Sequence, residues 1–154
     1  MCKTSENTLT ISRVMKAPRH KVWKAWANPE HLVKWWAPAP VITTLQKFEL
    51  KPGGAFDSTM VMDGETIHAG KGCFLEVVDQ ERIAFTDTLE AGFKPSENPF
   101  FTAIITFEDH PEGTLYTATA LHKNSEDCQK HADMGFVHGW SAVAEQLETF
   151  ATGL

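Results

Sequence analysis

Tyrosine occurs once in this chain, at Tyr116, and cysteine only three times, at Cys2, Cys73 and Cys128. Three widely spaced cysteines do not make a disulfide framework and suit a reducing compartment. Positive charge is also short: 14 Lys and Arg stand against 20 Asp and Glu, a net charge of −6. Without a basic cluster the chain is a poor partner for nucleic acid or an anionic membrane. No apolar run approaches the roughly 20 residues of a membrane span. The opening "MCKTSENTLT" lacks the apolar core of a signal peptide. A cytoplasmic protein is the expectation. Catalytic signatures are missing too: G-x-S-x-G, H-E-x-x-H, C-x-x-C and a Gly-rich phosphate loop. No catalytic residue, cofactor or metal set is assigned, and an enzyme is the less favoured reading.

What is present suits one domain over 1–154, with its core over about 9–151: hydrophobic content is 42%. "TLTISRVM" (8–15) reads as a strand. "APRHKVWKAWAN" reads as a short helix, with Pro18 in its first turn and Val22, Trp23 and Trp26 on one face. Asn28 and Pro29 then suit the cap and first position of a second helix. From 41 to 122 the pattern is strands cut by turns: "KPGG", "DG", "DQER" and "DHPEG". "TIHAGKGCFLEVV" reads as one long strand and "EAGFKPSENP" (90–99) as a loop.

Ser125 is expected to cap one long final helix running to about Ala151. Phe136, Trp140, Val143, Leu147 and Phe150 form its apolar stripe at 4-3-4-3 spacing. The whole is an α+β helix-grip: a curved antiparallel sheet of six to seven strands around a long C-terminal helix, with two short helices after the first strand. Such a grip leaves room for an apolar pocket.

These stretches resemble a known family. "ISRVMKAPRHKVWKAWANPEHLVKWWAP" (11–38), "KPGGAF" (51–56), "GKGCFLEVVDQERIAFTDTL" (70–89), "GFKPSENPFFTAIITFE" (92–108) and "MGFVHGW" (134–140) carry the likeness. The chain resembles the START-like, or SRPBCC, superfamily. Within it, the chain is similar to the homologues of the C-terminal domain of the heat-shock protein 90 ATPase activator, in a bacterial stand-alone branch. The resemblance implies the helix-grip fold. It also implies three functional classes: a small-molecule binder, a polyketide cyclase- or hydrolase-like enzyme, or a co-chaperone-like module.

A binder of a small apolar or aromatic molecule is the favoured reading. Its expected lining is Trp35, Trp36, Phe56, Met60, Met62, Phe85, Tyr116, Ala118, Phe136 and Trp140, with His68 and Asp87 as polar anchors. An ion pair between Arg13 and an acid inside the grip is also expected. His131 and His138, seven residues apart, read as surface or capping residues on the outer helical face. They lie about 10.5 Å apart along a straight helix, too far to share one ion. Gly135 and Gly139 are expected to leave a groove beside the aromatic stripe, either filled by a closely packed backbone, the favoured reading, or leaving room for ligand. A homodimer or a chaperone partner stays open.

Overall fold

The structure, a computed structural model, describes residues 7–154, so Cys2 lies outside the described residues. Strand β1 (Thr8–Met15) opens the chain and points Leu9, Ile11 and Met15 inward at every second or fourth position. Helix α1 (Arg19–Ala27) follows Pro18 and buries Val22, Trp23, Ala25 and Trp26. Helix α2 (Pro29–Leu32) starts as expected: the Asn28 side chain accepts from the Glu30 N–H at 2.9 Å, and Pro29 fills the first position.

The strands that follow are β2 (Ile42–Phe48), β3 (Phe56–Met62), β4 (Glu65–Gly70), β5 (Cys73–Val78) and β6 (Arg82–Thr86). A two-residue ladder, β7 (Leu89–Glu90) with β8 (Lys94–Pro95), folds the next loop. The long hairpin β9 (Phe101–His110) and β10 (Gly113–His122) completes the sheets. The main sheet runs β1-β10-β9-β6-β5, all antiparallel; a second runs β2-β3-β4. The expected long strand over 66–78 is bent at Lys71 and Gly72 into β4 and β5. It thereby passes from one sheet to the other, with Ala55 bridging Cys73 and Phe56 N–H donating to Gly72 C=O at 2.9 Å.

The final helix is two helices. Helix α3 (Ser125–Asp133) is capped by Asn124, whose side chain accepts from the Asp127 N–H at 2.8 Å; Ser125, the expected cap, is its first residue. Helix α4 (Phe136–Thr152) begins after Gly135, which stands at φ +91°. A left-handed residue terminates a helix, and glycine adopts that conformation without steric cost. This answers the presence of a poor helix former here: Gly135 is the break.

Helix α4 lies across the concave face, where Ala103, Ala118 and Ala120 are fully buried with Ala144, Leu147 and Ala151. Of the sheet strands, α4 runs nearest β1. Glu148 fastens it to the first strand, accepting from Arg13 Nε at 2.7 Å and Lys16 N–H at 2.8 Å. Burial raises the Glu148 pKa, but these bonds and the charges of Arg13 and Lys16 outweigh it and leave it lowered. Arg13 thus finds its acid on α4.

The "KPGG" turn holds the bent strand. An added Cβ at Gly54 would sit 2.0 Å from the Glu49 carbonyl oxygen, a backbone atom that cannot swing away. Gly54→Ala is therefore expected to lower the unfolding free energy by about 2–3 kcal/mol. Denaturant unfolding checks this, and an unchanged midpoint would contradict it.

Candidate functional site

The space under α4 is crowded with aromatic rings. Trp26, fully buried on α1, has ring centroids of Trp35, Trp36, Phe56, Phe74 and Phe85 between 5.3 and 6.4 Å away. Its indole N–H donates to the Tyr116 hydroxyl at 3.2 Å. Burial pushes the Tyr116 phenol far above its ordinary pKa, only partly offset by that bond, so it stays neutral. Trp35 is sealed as well, donating to the Ala25 carbonyl at 3.1 Å.

The lattice continues toward one end of the grip through rings that are only partly buried. Trp36 lies 6.3 Å from Trp140, Trp140 6.0 Å from Phe101, and Phe101 6.4 Å from Phe85. Phe136 stacks on Trp140 at 4.9 Å. Two polar side chains hold these rings in place. Gln146 on α4 donates to the carbonyls of Trp35 (3.0 Å) and Ala37 (2.8 Å) and accepts from Ala39 N–H (2.8 Å). Asp87 accepts from the N–H groups of Phe100 (2.8 Å) and Phe101 (3.0 Å), and Ser96 donates to its carbonyl at 2.6 Å. Asp87 therefore fastens the 88–100 loop that delivers Phe100 and Phe101.

At this end two histidines meet. His122 continues the inward face of Tyr116, Ala118 and Ala120, as strand parity predicts. Its Nδ1 lies 2.9 Å from the Asn7 carbonyl and its Nε2 lies 2.8 Å from His131 Nδ1. His131 is buried, 7% exposed, with Phe100, Phe101 and Phe136 rings each 5.0 Å away. The outer-face expectation fails for His131 because the break at Gly135 frees α3 from the phase of α4. His138, on α4, is exposed. A depression of about 250 Å³ opens at the same lip, lined by Thr88, Pro99, Phe100, Phe101, Thr102, Leu121, His122 and Lys123.

The expected lining divides. Trp35, Trp36, Phe56, Phe85, Tyr116, Ala118, Phe136 and Trp140 do converge on the grip. Met60 is half-buried and Met62 exposed, both on β3 of the second sheet. His68 is exposed on β4, the outer strand of that sheet, because the bend at Gly72 carries it away from the face of Phe74. Asp87 serves as a loop fastener. The reading of sequence passed over Phe100, Phe101, Gln146 and the inward turn of His131. Only the last had a signal, the glycine four residues on. No close backbone fills the glycine flank: a Cβ at Gly135 or Gly139 would meet nothing within 4 Å.

The comparisons fit this geometry. The fold defines the chain as a helix-grip, START-like protein. A family profile described as "Activator of Hsp90 ATPase homolog 1-like protein" matches residues 16–152, and the chain belongs to that family. Protein NE0264 from Nitrosomonas europaea is similar at 33% identity, covering 95% of this chain and 94% of that one, with a TM-score of 0.89. Protein Ms6760 from Mycobacterium smegmatis is similar at 30% identity over 99% and 96% of the two chains, with a TM-score of 0.84. An AHSA1-like protein from Aeromonas hydrophila shares the fold at 21% identity, with 95% and 92% covered and a TM-score of 0.73. No curated protein matches the chain. No helix among the described residues is long and apolar enough to cross a membrane.

His131 carries a pH dependence. Burial, and then the like charge of a protonated His122, lowers its pKa from 6.5 to about 4. Between those values the unfolded chain binds a proton at this site and the folded one does not. Stability from this group is therefore full above pH 6.5 and falls as pH drops toward about 4. Solvent reaching the ring screens part of this, so the loss is at most about 3 kcal/mol. Unfolding free energies measured across that range should fall more steeply for the wild type than for His131→Phe. Parallel slopes would refute the buried neutral imidazole.

Proposed function

We propose that this protein binds a small, flat, apolar or aromatic molecule at the open end of the grip. The supporting observation is that Trp36 and Phe101, both partly buried, converge on the partly buried Trp140, and that a side chain added at Gly139, its neighbour on α4, would meet nothing within 4 Å. Aromatic rings with an uncovered face offer large apolar area at little conformational cost. The fully enclosed rings around Trp26 form the floor, and the 250 Å³ depression beside Phe101 gives entry. A second reading, a docked protein partner as in co-chaperones, draws on Ile42, Met62 and Ile67, exposed on the second sheet.

One substitution separates the two. On α4, Gly139 adjoins Trp140 and stands one turn from Phe136 and Val143. Gly139→Leu places a side chain in the open flank, and it removes a helix-interior glycine worth roughly 1 kcal/mol. The variant is expected to fold with equal or greater stability. Its affinity for the neutral dye N-phenyl-1-naphthylamine should drop at least about tenfold. Unchanged dye affinity in the folded variant would place the dye elsewhere and sink this site.

A further inference from the structure

The two histidines at the open end form a directional chain. The Asn7 carbonyl can only accept, so His122 Nδ1, 2.9 Å away, carries the hydrogen. With both rings neutral, His122 Nε2 is then an acceptor, and His131 Nδ1, 2.8 Å away, must donate to it. The second nitrogen of His131 is left as a bare lone pair. That Nε2 has no hydrogen-bond partner among the described residues, and it is not among the buried polar atoms sealed from solvent without one. The ring that bears it is walled by Phe100, Phe101, Phe136 and Trp140. A fixed acceptor surrounded by apolar surface, with its tautomer set by a neighbour, is a specificity element.

We infer that His131 Nε2 is the polar anchor of the aromatic site and accepts a hydrogen bond from an O–H or N–H group of the ligand. This rests on the reading above and adds the ligand's chemistry: a neutral aromatic molecule carrying a donor, of which a phenol is the simplest. A carboxylate or an ether presents only lone pairs to this nitrogen and gains nothing from it. His131 also stays neutral through the physiological range, its pKa lowered to about 4 by burial and by His122, so it does not attract anions.

The test uses 2-naphthol and its methyl ether, in which a methyl group replaces the one donor hydrogen, titrated into the intact protein. The naphthol is expected to bind about tenfold more tightly than the ether, the worth of one hydrogen bond to an otherwise unpaired group. In His131→Phe the ratio is expected to fall to about one. Should that variant fail to fold, the wild-type imidazole ¹⁵N spectrum decides the matter. Naphthol should shift the Nε2 resonance of His131 from its unbonded position, and the ether should leave it unmoved. Equal affinities for the two probes, or an unmoved Nε2, would overturn the anchor while leaving the aromatic site standing. Binding of neither probe would remove the site itself, and the anchor with it.

Discussion

Everything inside the grip is arranged around the indole of Trp26. It is fully buried, touches five other aromatic rings and has one polar atom to satisfy. An indole N–H left unpaired there would cost about 1–3 kcal/mol, and Tyr116, the chain's one tyrosine, supplies the acceptor. That bond links α1 to β10, while the ring contacts reach the segment after α2 and strands β3, β5 and β6. Edge-to-face geometry recurs through the lattice, as the ring quadrupoles favour. The bend at Gly72 and the tight "KPGG" turn follow from it, since they bring Phe56 and Phe74 to within 5.0 Å of each other.

The lattice is closed at the Trp26 end and open at the other, and the open end is built from pieces that do not pack by themselves. A glycine in the left-handed region ends α3 and starts α4 on a new phase, turning His131 inward. A carboxylate, Asp87, supplies the acceptor for two backbone amides and thereby orders the loop bearing Phe100 and Phe101. An amide, Gln146, ties the segment after α2 to α4 and sets Trp36 against Trp140. These polar groups hold aromatic walls in position, the pre-organisation that the proposed binding requires.

Much of this was legible in the residue pattern. Turn signals bounded the strands, Pro18 with an apolar face marked α1, and Asn28 with Pro29 marked α2, because these signals are local. The apolar stripe from Phe136 to Phe150 fixed which face of α4 goes inward. The phase of α3 was not legible once Gly135 was read as part of a continuous helix. His68 and Met62 fit the alternation, yet β3 and β4, which carry them, belong to the second sheet, and the chain joins the main sheet only after the bend at Gly72. The loop aromatics Phe100 and Phe101 are placed by a side-chain bond from a residue 13 and 14 positions away. Such a long-range contact has no periodicity.

The family places the fold beyond the residues themselves, and the binding proposal rests on which rings are open. The five tryptophans report on this directly through their indole N–H resonances. The N–H groups of Trp26 and Trp35 are held internally by Tyr116 and Ala25. On titration with a neutral naphthalene, the resonances of Trp36 and Trp140 should shift in a saturable manner while those of Trp26 and Trp35 stay fixed. No saturable shift at Trp36 and Trp140, or shifts confined to the other tryptophans, would contradict the account.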